Sequence, residues 1–244
     1  KIFPILRELG IELDKKDGEY CLLKPLGSTY PRVACCGNHT GALIMRRIRD
    51  ELTCRQNVTF RDGTRALRIL VENRKAKGLI AFNLRESEFY FIETNCIVLA
   101  GGGFSGIYPF NTNPKDIGGD IIAMAYEAGA SLTDLEFIQF EPTVALHPLP
   151  VAGKGMITTM FYDGAVLRNK NGERFMLSVS ENAERVNKDV MAKAIYEEVM
   201  KGNGTEHGGV YFDATGVGWE KLLERYSSYV TRYEKVGIDI SREM

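Results

Sequence analysis

Apolar residues recur along this chain first at helical and then at strand spacing, and the changes of spacing mark out its elements. Ile2 to Leu9 has helical periodicity that Gly10 ends. Tyr20 to Lys24 reads as a short strand before a stretch punctuated by Pro25, Gly27 and Pro31. Thr40 is placed to cap a helix whose Leu43, Ile44, Ile48 and Leu52 share one face, with Arg46, Arg47, Arg49 and Asp50 outside. The period then drops towards two: Val58–Phe60, Ala66–Val71, Leu79–Phe82, Phe89–Ile92 and Ile97–Ala100 read as strands, with turn signals at Asp62-Gly63 and Lys77-Gly78. Helical spacing returns over Asp120 to Ala128, with Gly129 as its C-terminal cap.

Beyond about residue 136 the elements are short and mixed. Strands are expected at Met156–Thr159, Ala165–Leu167 and Val210–Phe212, and a tight turn at Asn169 to Gly172. Val190–Met200 reads as a helix, residues 202–209 as a loop, and Glu220–Tyr233 as two helical pieces. The pattern predicts an α/β portion with a parallel sheet interrupted by an inserted β-meander, followed by an α+β region, with the boundary near residue 136.

Composition narrows the function classes. The chain has 244 residues, 44% of them hydrophobic, and a formal charge of -1 with both signs interspersed. Such a chain builds a sizeable core but carries no basic footprint for nucleic acid or an anionic membrane surface. No apolar run approaches a transmembrane helix and no leader opens the chain, so no membrane insertion and a cytoplasmic location are expected. Cys21, Cys35, Cys36, Cys54 and Cys96 are odd in number and lack paired C-x-x-C spacing, which points to reduced thiols. His39, His147 and His207 are too scattered in sequence to announce a metal cluster, and no metal is expected.

One motif carries candidate chemistry. In CIVLAGGGFSGIYPF, Gly101, Gly103 and Gly106 spell G-x-G-x-x-G after an apolar run that suits a buried strand. A dinucleotide fingerprint also needs a helix to follow. Pro109 and Pro114 among turn formers exclude one, so the motif is not a first Rossmann turn.

Reading on from these glycines, VLAGGGFSGIYPFNTNPKDIGGDIIAMAYEAGASLTDLEFIQFEPT resembles the flavoprotein subunits of succinate dehydrogenase and fumarate reductase, and L-aspartate oxidase. The later NKNGERFM, KDVMAKAI and VYFDATG segments resemble that family's N-x-x-G-E-R-F-M, R-D-V-V-A-R-A-I and V-x-L-D stretches. The resemblance implies an FAD-binding domain portion over residues 1–136 and a capping domain over 137–244 that closes on a small-molecule substrate. It also implies an FAD cofactor, and it leaves room for an electron-transfer partner subunit. Ala100, Gly101 and Gly102 would pass the backbone close to FAD, and Asp120 matches the aspartate of the family's G-D-G segment, with an ordinary helix cap as its structural alternative. The family's usual ADP-binding unit and its H-Y-x-M-G-G segment are not in this sequence. The chain therefore reads as a piece, expected to hold FAD poorly and to be inactive by itself.

The family's chemistry is hydride exchange with flavin and proton transfer by an arginine, with a histidine in Q-F-H-P-T and a T-E-G segment gripping carboxylates. Here Glu141 replaces that histidine, ITTMF at Ile157 to Phe161 replaces T-E-G, and Lys188 stands at the arginine position. Glu141 and Lys188 are the candidate catalytic residues. Glu141 would repel a second carboxylate, so a cationic or amino-bearing substrate suits it better than succinate or fumarate. Both residues also have a structural reading, as a glutamate before Pro142 and a first-turn lysine. Arg174 is expected to brace the second region and His39 to be positional. Two functions follow: an FAD-dependent oxidoreductase acting on a small organic acid or amine, or a non-catalytic flavoprotein-like module serving assembly or electron transfer.

Overall fold

A computed structural model describes residues 2–37 and 39–244; Lys1 and Asn38, the latter within the G-N-H-T-G segment, lie outside the described residues. The chain divides into two compact units, Lys1–Val58 with Gln139–Met244, and Thr59–Ile138.

The first unit opens with helix α1 (Ile2–Glu8), and Gly10 follows it in the left-handed conformation. The expected strand at Tyr20–Lys24 is split: β1 (Lys15–Lys16) pairs with β2 (Glu19–Tyr20), whereas β3 (Leu22–Leu23) pairs with β4 (Val33–Ala34), so the chain changes partner at Cys21. Helix α2 (Thr40–Thr53) begins where expected, but Thr40 is not its cap. The Thr40 hydroxyl instead accepts the N–H of Cys36 upstream, at 2.9 Å.

The second unit is a three-stranded antiparallel meander, β5 (Thr64–Glu72), β6 (Lys75–Asn83) and β7 (Glu88–Glu93), joined to helix α3 (Asp120–Glu127). The turn between β5 and β6 is Asn73-Arg74, both at positive φ, not Lys77-Gly78. Gly78 lies within β6, where a Cβ would come within 2.6 Å of the Phe91 ring on β7. Its missing side chain makes room for an aromatic neighbour. Val58–Phe60 forms no strand.

Ile97–Ala100 departs most from expectation. It is neither a strand nor buried: Val98 is 84% exposed. An extended segment becomes a strand only by pairing, and no described segment pairs with this one; every ladder among the described residues is antiparallel. The expected parallel sheet is therefore absent from the described residues. No helix runs from Gly106 to Pro114, as the prolines require; only one tight turn, Ser105–Ile107, occurs there. Helix α3 ends as its sequence demands, with Gly129 left-handed and Ala130 N–H returning to Ala125 O.

Back in the first unit, Met156–Thr159 is not a strand. Met156 N–H reaches Thr143 O at 2.6 Å, and the chain then enters helix α4 (Met160–Asp163). β8 (Val166–Arg168) pairs antiparallel with β9 (Tyr211–Asp213), and between them lie α5 (Met176–Val179), which sequence reading missed, and α6 (Lys188–Glu198). Helix α7 (Trp219–Glu234) loses helical geometry at Tyr226, matching the two pieces expected. Its Leu222, Tyr226, Val230 and Tyr233 form the buried stripe of an amphipathic helix. They pack into one core with Met160, Leu167, Met176 and Met191, each side chain contributing roughly 1.5–3 kcal/mol of transfer free energy.

Candidate functional site

Residues 188 and 141, assigned from sequence alone, meet. Lys188 is the first residue of α6, after Asn187 in extended conformation, and its Nζ donates to Glu141 Oε2 at 2.6 Å. A lysine in a first helical turn opposes the helix dipole, and the facing carboxylate compensates both the ammonium and the helix end. The two side chains are 31% and 26% exposed, reachable by a solute yet partly desolvated. Glu141 is therefore not a bare negative charge. The pair carries no net charge, and its short bond places a proton donor beside an acceptor.

The Glu141 loop is fixed from below. Buried Thr143 donates its hydroxyl to Met156 O at 2.7 Å and accepts the Met156 N–H, tying the loop to the segment before α4. ITTMF, at the family's T-E-G position, offers no carboxylate there. Thr158, Met160 and Phe161 are buried, the last two as core.

In the second unit, Ala100, Gly101 and Gly102 form an exposed run outside any helix or strand, with Gly102 left-handed. A Cβ on Gly101 would collide with the Ile121 side chain, so this glycine serves the close approach of α3. A Cβ on Gly102 would come within 3.3 Å of Ile117, whereas nothing lies within 4 Å of a Cβ built on Gly103. Asp120 opens α3 but does not cap it; Gly119 holds that position in left-handed geometry. The Asp120 carboxylate is instead paired with Arg65 of β5. Sequence reading missed Arg65, since a strand arginine 55 residues away gives no local signal.

These groups fit FAD in part. Gly103 leaves bare backbone with room beside it, while Gly101 and Gly102 face Ile121 and Ile117. The carboxylate of Asp120 is already shared with Arg65.

Arg174 grips Glu184 with two nitrogens, Nη2 to Oε2 at 2.7 Å and Nε to Oε1 at 3.1 Å, while Glu184 also accepts Leu167 N–H. Glu184 is only 2% exposed, so Arg174 is a brace. Its guanidinium is held above its ordinary range chiefly by this bond. His147 and His207, distant in sequence, stack with ring centroids 3.9 Å apart. Even so, no group among the described residues could hold a metal ion. A groove of about 690 Å³ between Pro150–Val151 and α7 contains none of the assigned residues. No helix among the described residues is long and apolar enough to cross a membrane.

Comparison with known proteins gives the family and the fold. The family model described as FAD binding domain matches residues 3–244. A fumarate reductase (CoM/CoB) subunit of Methanothermobacter marburgensis is 33% identical over 98% of this chain and 44% of its own length. L-aspartate oxidase 2 of Ralstonia nicotianae is 33% identical over 97% of this chain and 44% of its own. Among solved structures, E. coli quinol fumarate reductase FrdA superposes with a TM-score of 0.88 at 28% identity, covering 99% of this chain and 43% of that one. Mycobacterium smegmatis Sdh1 in complex with UQ1 gives 0.81 at 29% identity, covering 99% and 42%. The chain thus has the FAD-binding domain fold of these proteins and spans less than half the length of the relatives it matches.

Proposed function

The chain belongs to the FAD-binding domain family, and we propose that the protein it serves is an FAD-dependent oxidoreductase acting on a small organic acid or amine. The observation that carries this is the 2.6 Å contact of Lys188 with Glu141, at the two positions where the resemblance puts the proton-transferring and substrate-gripping side chains.

FAD, when bound, supplies the hydride chemistry. This chain's residues supply the rest. Ala100, Gly101 and Gly102 would hold the cofactor through backbone, with Asp120 nearby in the same unit. Lys188 Nζ holds the proton given to, or taken from, the reacting carbon of the substrate. Glu141 keeps that ammonium oriented and offers a carboxylate to a substrate amino group. Thr143 keeps Glu141 in place. Because the pair is neutral, a dianion gains no net attraction from it, and an amino-bearing acid or amine suits it better.

The division into an FAD-binding portion over 1–136 and a capping domain over 137–244 belongs to the same proposal. Its support is the main core, whose buried members come from residues 151–240 with Leu26 as the one addition among the described residues; the compact units favour only the break near 138, since they group residues 1–58 with 139–244. The Methanothermobacter relative is named as one subunit of its enzyme, which favours an electron-transfer partner here too.

The test is anaerobic titration of the full-length flavoprotein with succinate, fumarate (after chemical reduction), L-aspartate and a simple primary amine, following the flavin absorption band. Substrate-dependent bleaching or reoxidation supports an enzyme. A flavin spectrum indifferent to all of them would leave the non-catalytic module.

A further inference from the structure

Two cysteines of the first unit lie just beyond the paired ends of β3 and β4, beside a carboxylate. Leu23 faces Val33 and Leu22 faces Ala34; Cys21 and Cys35 follow on the two sides, just past the last paired rung. Asp14 holds both of their backbones: its carbonyl accepts Cys21 N–H at 2.9 Å, and its own N–H donates to Cys35 O at 2.8 Å. A disulfide needs Cα atoms roughly 4.4–6.8 Å apart, a span within reach of two residues bonded to the backbone of a single third residue. The adjacent Cys36 stands in a bend, and its N–H is taken by the Thr40 hydroxyl. The Cys35 thiol donates to Asp14 Oδ2 at 3.5 Å, and Gly37 N–H binds the same oxygen at 2.8 Å. Burial and then this bond hold the Cys35 thiol above its ordinary range, so it rests protonated.

We propose that Cys21 and Cys35 are a redox-active pair that closes to a disulfide on meeting a peroxide, with Asp14 as the base for closure. The Cys21 sulfur attacks one peroxide oxygen, the O–O bond breaks, and the other oxygen leaves as an alcohol or water with the thiol proton. Cys21 is then a sulfenic acid. Cys35 gives its proton to Asp14 and attacks the Cys21 sulfur; the S–S bond forms and the departing hydroxide takes the proton from Asp14 to leave as water. Two thiols lose two electrons and one peroxide gains them. The closed bond ties together the strands that lead into α2. This inference is independent of the Lys188–Glu141 site.

The experiment treats the full-length protein with hydrogen peroxide and maps its cysteine peptides by mass spectrometry without reduction. The expected product links the Cys21 and Cys35 peptides with loss of two hydrogens; it persists in C36S and disappears in C21S and C35S. In D14N the Cys21 sulfenic acid should accumulate, trapped by a cyclic 1,3-dione at several-fold higher yield than in the unmodified protein. A Cys35–Cys36 or Cys21–Cys36 link, or over-oxidation of unlinked Cys21 and Cys35 in the unmodified protein, would overturn the assignment.

Discussion

Lys188 Nζ lies 2.6 Å from Glu141 Oε2, joining residues 47 positions apart in the chain. A helix start and a loop before a proline are thereby made into one polar unit, and its neutrality bears on substrate choice. Replacing Glu141 by Gln removes the negative member and leaves the ammonium uncompensated. In the full-length enzyme E141Q should lower KM for dicarboxylates and raise it for amino-bearing substrates, while flavin content stays unchanged. Steady-state kinetics across a charge series checks this.

Arg174 and Glu184 make a second pair of different character, because Glu184 is almost fully buried. Removing the arginine strands a carboxylate in the core. R174A should destabilise the protein by about 3–5 kcal/mol, whereas an exposed pair such as Arg55–Glu51 should matter by no more than about 1 kcal/mol. Denaturant midpoints of R174A and R55A compare the two.

Gly101 is predicted to be intolerant for a packing reason. G101A places a methyl group against Ile121 and should cost about 1–3 kcal/mol. The double variant G101A/I121A should recover part of that loss, measured as a coupling energy in a double-mutant cycle.

Tyr226 links α7 to α4 by donating to Asp163 Oδ2 at 2.5 Å. Burial, then this bond, pushes its phenol from an ordinary value near 10 up to about 12. The unfolded chain therefore loses this proton first as pH rises. The stabilisation is complete below pH about 10 and fades towards about 12. Denaturation across that window should show stability falling with pH, and Y226F should flatten the slope.

What could be read from sequence had local causes. The meander strands follow alternation, the end of α3 follows Gly129, and the kinked α7 follows a helical stripe interrupted near Tyr226. Glu141 and Lys188 stand out in the sequence because each occupies a position of a recognisable motif. Their direct contact was not legible, since it depends on the tertiary course between them. Ile97–Ala100 misleads for a related reason: an apolar run reports a wish to be buried, but a strand exists only when a second segment lies beside it. Asn73-Arg74 escapes notice because a two-residue turn at positive φ usually advertises itself with glycine, and Lys77-Gly78 draws the assignment instead. The Arg65–Asp120 pair and the meeting of Cys21 and Cys35 at Asp14 likewise depend on tertiary course that no single segment declares.

The most direct measurement concerns Lys188 itself. Single-turnover reaction of the full-length K188M variant, compared with the unmodified protein on its best substrate from the charge series, separates proton transfer from cofactor binding. K188M is predicted to keep its flavin band and thermal stability while the proton-coupled step slows about a hundred- to ten-thousand-fold, the usual worth of a positioned acid or base. A K188M protein that turns over at the unmodified rate would contradict the account and return the Lys188–Glu141 pair to a purely structural role.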